Sequence, residues 1–299
     1  MTEQFVFASM IRGSPRIDLT RTQYQSIVEA VGALLHCIDV EEKFDGIVEN
    51  FCDLERFILE EALQALVSRS SDDVRYNLPR SVCGRKLSNF LSSARLYLDS
   101  IERHIDAILT DGSGKLGIKA ARTREFENSF NYRVAEALRN HAQHHALPVH
   151  GYTVERAWSA DQCHLNYGFT PMLSVAELGS DRKFKKETLA ELQAGPGSIE
   201  LKPLIRSYVE SLDTIHSKFR ELIKSQAAQH VDLLEKYKQQ MASTFPDAPV
   251  VALAVFQIDG AGSKLGLETN LSDNLTDYLQ FLYRKNLSLR NFARRRIEY

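Results

Sequence analysis

The sequence predicts an all-α protein, mostly α throughout and arranged as a multi-helix bundle, with one short strand segment near 250–258. Three observations carry this reading. Apolar residues recur at the i, i+3, i+4 spacing of a helix face along most of the chain. The 87–108 stretch holds the cleanest such pattern. VVALAVFQI (250–258) departs from it, being β-branched and apolar as a short buried strand is.

The elements follow in order. Ile27, Val28, Val31, Leu34, Leu35 and Ile38 mark one amphipathic helix, and Ile47, Phe51, Leu54, Ile58, Ala62 and Ala65 a second, with a junction at Asp45-Gly46 or the acidic stretch before it. The polar stretch SRSSDDVRYNLPR (68–80) reads as a loop. Leu87, Leu91, Ala94, Leu98, Ile101, Ile105 and Ile108 then alternate at four and three, the narrow seam of a long packed helix pair. Asp111-Gly112-Ser113-Gly114 marks a turn. A second helix carries Phe126, Phe130, Val134, Ala137 and Leu138, with Thr123 as N-cap and Glu125 and Glu127 in its first turn. Pro148 ends it, because the residue before a proline is pushed out of helical geometry.

Residues 149–200 read as irregular and hold Trp158 and the basic run DRKFKK (181–186). Pro203 suits the first turn of another long helix, whose seam is Ile205, Tyr208, Leu212, Ile215, Phe219 and Leu222 and which runs to about residue 240. A last amphipathic helix covers 272–287, and Gly262 and Gly266 in DGAGSKLG (259–266) read as a turn, the Walker pattern being absent. The tail holds Arg284, Lys285, Arg290, Arg294, Arg295 and Arg296. These elements group into an N-terminal helical region (1–70), a helical core (75–165) and a C-terminal extension with a basic tail (166–299).

A chain of 299 residues is ample for a substantial core. With 43% hydrophobic and 25% charged residues it has the composition of an ordinary globular protein. The net charge of -2 excludes polyanion binding by bulk charge, so any nucleic-acid contact must come from local basic patches. Cys37, Cys52, Cys83 and Cys163 form no CxxC pair and read as free thiols of a reducing cytosol. The N-terminus lacks the apolar core of a secretory signal, and no apolar run reaches the ~18 residues of a membrane span. The expectation is a soluble cytoplasmic protein with no membrane partner.

Histidine is concentrated in one place. Five of the nine histidines are His141, His144, His145, His150 and His164, four of them in ALRNHAQHHALPVHG (137–151). Eighteen residues make about five turns of an ideal helix, which places His144 below Phe126 on the apolar face, with Asn140 one turn earlier. Arg139 then lies about 140° around the helix from His144, at about 100° per residue. One straight helix does not aim both at one point, whereas two facing helices, each giving part, do. His141 and His145, at i and i+4, also have a spacing that suits zinc, with Cys163 and His164 to complete four ligands. The HExxH glutamate is missing, and no metal or other cofactor is expected.

The string Arg139-Asn140-His141-Ala142-Gln143-His144 resembles the R-x4-6-H motif of the HEPN superfamily, with its frequent polar residue after the arginine. His145 satisfies the spacing as well, so the register stays open between the two histidines. LSNFLSSARLYLDSIERHI (87–105) resembles the first long helix of that fold, and the resemblance covers roughly a third of the chain. It implies a metal-independent endoribonuclease that acts as a homodimer and leaves 2′,3′-cyclic phosphate ends. It further implies a toxin or antiviral defence effector, with an antitoxin or activator protein as partner. Arg139 and His144 are then catalytic, Asn140 supporting, and His145 and His141 alternates. The chemistry suits these residue types: an imidazole with an ordinary pKa near ~6.5 can take and give the protons that move, and a guanidinium offers paired donors to the phosphoryl oxygens. Lys183, Lys185 and Lys186, and the arginine-rich tail, are candidate phosphate contacts. The alternative is a non-catalytic helical module that binds RNA or a protein and dimerises through the same face.

Overall fold

The computed structural model describes residues 3–11, 13–67, 73–247, 251–259, 269–271 and 274–295, the side chains of 73–76 set aside. Helix dominates, joined by two small antiparallel sheets. The helices are α1 (Arg21–Val67), α2 (Asp73–Ile108), α3 (Ser113–Asn128), α4 (Phe130–His144), α5 (Val175–Ser180), α6 (Lys186–Gln193), α7 (Leu201–Thr244) and α8 (Leu275–Lys285). The strands are β1 (Gln4–Ser9), β2 (Arg16–Leu19), β3 (Gly151–Trp158), β4 (Leu165–Ser174), β5 (Ser198–Glu200), β6 (Leu253–Ile258) and β7 (Thr269–Leu271). Among the described residues no helix is long and apolar enough to cross a membrane.

The long seams are where the periodicity puts them. All seven residues of the 87–108 pattern are buried, as are Ile205, Tyr208, Leu212, Ile215 and Phe219 on α7, which starts with Pro203 in its first turn. Four expectations need correction. The two helices of the N-terminal region are one, α1. Gly46 costs about 1 kcal/mol relative to alanine inside a helix, too little to break one whose neighbours Phe44 and Ile47 are both buried. The stretch 68–80 is not all loop, since α2 begins at Asp73 and carries Pro79 inside it; the lost backbone bond is outweighed by the apolar stripe that follows. Residues 68–72 lie outside the described residues, as does most of the 259–266 turn.

The third correction bears on the site. The expected helix from Thr123 is two helices, because Ser129 breaks it. Ser129 is extended (φ -111°, ψ 106°), and its hydroxyl accepts a hydrogen bond from the Tyr132 N–H at 3.1 Å, starting α4 afresh. Thr123, Glu125 and Glu127 therefore lie inside α3. Fourth, 149–200 is structured: β3 and β4 form a hairpin from Gly151↔Met172 to Trp158↔Leu165, with β5 added at Met172↔Glu200.

Packing divides the chain into two compact units, each drawn from separated segments. The first comprises 1–42, 101–117 and 219–287. Its sheet has the order β2-β1-β6-β7, with β1 and β6 paired from Gln4↔Ile258 to Ser9↔Leu253. Val6, Ala8, Ala254, Phe256 and Ile258 cluster on it. The Glu41 carboxylate is fully buried and is met by Arg220, whose Nε donates to Oε1 at 2.8 Å and whose Nη1 donates to the Asn286 carbonyl at 2.9 Å.

The second unit comprises 43–100, 118–218 and 288–299. In its core Phe44 stacks on His216 at 3.8 Å between ring centroids, and the Tyr97 hydroxyl lies 3.1 Å from His216 Nδ1. Arg206 holds Glu55 through two bonds of 2.7 and 2.8 Å.

All four cysteines are free. Burial, with the nearby charge of Glu41 or Glu61, pushes the Cys37 and Cys83 thiols up to about 12, so neither forms thiolate near neutrality. Cys52 and Cys163 are exposed. A disulfide reagent is expected to titrate two thiols in the native protein and all four after denaturation. Rapid reaction of all four without denaturant would contradict this packing.

Candidate active site

The C-terminal end of α4 is positioned from its inner face. Tyr132, Val134, Ala135, Ala137, Leu138 and His141 are buried along it. Glu136 accepts a hydrogen bond from the Tyr208 hydroxyl at 2.5 Å and lies 3.8 Å from Arg95 Nη1. Burial and the Glu136 charge keep that tyrosine protonated, well above its ordinary range. These contacts fix the rotation of α4 about its axis, leaving Arg139 half-buried and Asn140, Gln143, His144 and His145 exposed.

Arg139 donates from Nη1 to Gln143 Oε1 at 2.9 Å, one turn further along, while its Nε is buried without a partner among the described residues. Among the described residues, no hydrogen bond or ion pair joins Arg139, Asn140 and His144 to one another. His144 is not on the apolar face beneath Phe126, as the unbroken phase implied. The restart at Ser129 cancels that count, and His141 takes the inward position instead.

His141 is 2% exposed, and its Nδ1 lies 2.9 Å from Asp181 Oδ2. The carboxylate can only accept, so Nδ1 carries a proton, while Nε2 is buried with no partner among the described residues. Asp181 also accepts from the Lys183 N–H at 2.9 Å, and His145 Nδ1 stands 4.0 Å from it. Burial works to raise the Asp181 carboxyl; the bonds from His141 and Lys183 and the charge of His145 outweigh burial and hold it below its ordinary value.

Asp181 is the residue that the sequence did not single out. It opens the basic run, and through it the structure joins two segments that the sequence marked separately. Phe184, 4% exposed, anchors the run by burial, leaving Lys183, Lys185 and Lys186 at the surface. Lys185 Nζ sits 4.1 Å from the Phe126 ring centroid and 3.9 Å from Glu187. The end of α4 and the 181–186 loop are thus tied together by one buried His–Asp bond. The signal available in sequence was His141 itself, three residues after Leu138 on the buried stripe.

The four-ligand arrangement of His141, His145, Cys163 and His164 does not form. Cys163 and His164 belong to the β3–β4 turn, where their N–H groups donate to Asp161 and Ser159, and the four do not gather their ligand atoms.

His150 completes the surroundings. Its ring packs edge-on to His141 at 5.8 Å, and its Nδ1 accepts from the Ser174 N–H at 3.0 Å, which requires that nitrogen to be unprotonated. Burial holds its pKa below the ordinary histidine value, against the charge of Glu177. Folding therefore favours the neutral ring, and the unfolded chain binds the proton first as pH falls. The stabilising contribution of His150 is complete above its unfolded value near ~6.5 and declines as pH drops through the interval below it. Asp181 acts in the same direction lower down: its depressed value contributes stability above ~3.9 that is lost as pH falls through the folded value. The melting temperature is expected to fall in two stages on acidification, and His150→Gln to shrink the first, to which His230, also held low by burial, contributes as well. A wild-type melting temperature that is level between pH 7 and 5 would count against this account.

Comparison with protein-family models, with curated proteins and with solved structures finds no match to the chain.

Proposed function

We propose that this protein is a metal-independent endoribonuclease that cuts RNA to 2′,3′-cyclic phosphate ends through Arg139 and His144, with Asn140 in support. The site is completed by a second copy of the chain. The observation that carries the reading is the His141–Asp181 bond of 2.9 Å, which ties the end of α4 bearing Arg139, Asn140 and His144 to the loop bearing Lys183, Lys185 and Lys186. An exposed imidazole beside surface cations is what cleavage of a phosphodiester needs.

The reaction moves one proton and exchanges one bond. His144 removes the proton of the RNA 2′-hydroxyl as that oxygen attacks the adjacent phosphorus. The bond from phosphorus to the 5′ oxygen breaks, and the imidazolium is the proton source for that departing oxygen. Arg139 meets the charge that develops on the phosphoryl oxygens. Its present bond to Gln143, rather than to His144, fits a site in which one copy gives the arginine and the other the histidine. A role as a toxin or antiviral effector, with an antitoxin or activator as partner, rests on the resemblance alone.

A second reading is favoured by the same separation of Arg139 from His144: a dimerising module that binds RNA or a protein without cutting. The two part on one experiment. Purified protein is incubated with a mixed RNA pool in excess chelator, and the new ends are analysed. Fragments with 2′,3′-cyclic or 3′ phosphate ends support the nuclease. RNA left intact by a well-folded dimer supports the binding module.

A further inference from the structure

We infer that His36, Asp39 and His104, in the first unit, form a binding site for one zinc-class divalent ion. His36 and Asp39 stand at i and i+3 on α1 and share a face; His104 comes from α2. An i, i+3 ligand pair on one helix completed from another helix is a recurrent way for helical proteins to hold a metal.

The geometry is quantitative. His36 Nδ1 and His104 Nδ1 are 3.1 Å apart, and Asp39 Oδ2 lies 4.0 Å from the first and 3.7 Å from the second. The circle through three atoms with those separations, 3.1, 3.7 and 4.0 Å, has a radius of about 2.1 Å, the length of a Zn–N or Zn–O bond. An ion at the centre of the triangle is in bonding contact with all three ligands without moving any of them.

The surroundings define the type of site. The His104 side chain is 4% exposed and forms the inner wall, while those of His36 and Asp39 are 40% and 48% exposed. An ion there has three protein ligands and one side open to solvent, the arrangement of zinc sites that keep a water or an exchangeable ligand. Two imidazole nitrogens with one carboxylate select a borderline metal over magnesium or calcium, which require mainly oxygen. Arg103 Nη2 lies 3.5 Å from His104 Nε2, beyond the ring from the triangle. When Nδ1 takes the ion, Nε2 carries the ring proton and Arg103, which is exposed, turns to solvent. The site was not legible in sequence, because the two histidines are 68 residues apart and each stands alone.

The test uses the full chain, stripped with chelator and titrated with zinc by calorimetry. Wild type is expected to take up one tight equivalent, which magnesium does not replace, and to melt at a higher temperature with zinc present. Asp39→Asn and His36→Gln, both at half-exposed positions, are expected to weaken zinc by ~10-fold or more while melting as wild type does without metal. His164→Ala, in the exposed hairpin turn, is expected to bind as wild type. No saturable equivalent in wild type, or unchanged affinity in both ligand variants, overturns the inference.

Discussion

His144→Ala and Arg139→Ala are each expected to lower RNA cleavage by ~10²-fold or more, the largest effect expected of any single substitution in this chain. A positioned general acid or base contributes ~10² to 10⁴-fold, and a lost donor to the developing oxyanion costs ~10² to 10³-fold. The substitutions are informative because they leave the fold alone. His144 is exposed, and Arg139 contributes one hydrogen bond, to Gln143 on its own helix. Removal of the exposed His144 ring opens no cavity and changes stability by no more than about 0.5 to 1 kcal/mol, and melting curves give the cost of the half-buried Arg139. Lys183→Ala, Lys185→Ala and Lys186→Ala are expected instead to weaken RNA binding and flatten its salt dependence, since under the proposed function each lysine contributes charge rather than chemistry. Cleavage assays beside melting curves separate the classes. A His144→Ala protein that cuts at the wild-type rate would remove that residue from the mechanism and pass the role to His145.

Arg220→Ala destabilises the protein by ~3–5 kcal/mol, because it takes the guanidinium away from a buried carboxylate. Glu41 has no exposed surface, while Arg220 reaches it with Nε at 2.8 Å and keeps a quarter of its own side chain in water. Removing the guanidinium leaves a carboxylate that must stay charged in a poor medium or take up a proton. Replacing both partners with apolar residues of similar size, Glu41→Leu with Arg220→Met, recovers most of the loss. The exposed pair Arg56–Asp53, at 2.7 Å, is the contrast: with side chains 62% and 53% exposed, its removal changes stability by less than about 1 kcal/mol. Guanidinium denaturation of the four proteins measures all of this. A loss below about 1 kcal/mol on Arg220→Ala would show that water reaches Glu41.

The sequence was legible where the physics is local. The seams of α2 and α7 follow from spacing alone, as does β6, whose β-branched run is too short and too apolar for a helix. The element that β6 pairs with was not legible. QFVFAS at the N-terminus has a strand-like content of aromatic and branched residues, but its partner lies some 250 positions away, and nothing local selects it. The same holds at the candidate site. Ser129 is a good cap, and one serine restarted the helix and moved His144 from the apolar face to the surface. Phase counted across an unrecognised cap is meaningless, whereas phase counted within α4, from Val134 through Leu138 to His141, places the buried histidine correctly. Asp181 was hidden for another reason: in a run of lysines and an arginine it reads as one more solvated charge, and only the fold turns it toward His141.

The most direct test of a site shared between two copies is complementation. Arg139→Ala and His144→Ala chains are co-expressed, and the mixed dimer is purified through two different tags. If each site takes its arginine from one copy and its histidine from the other, the mixed dimer has one site lacking both residues and one wild-type site. It then cuts RNA at about half the wild-type rate, although either parent alone is inactive. A mixed dimer that is intact and as inactive as its parents would contradict the account.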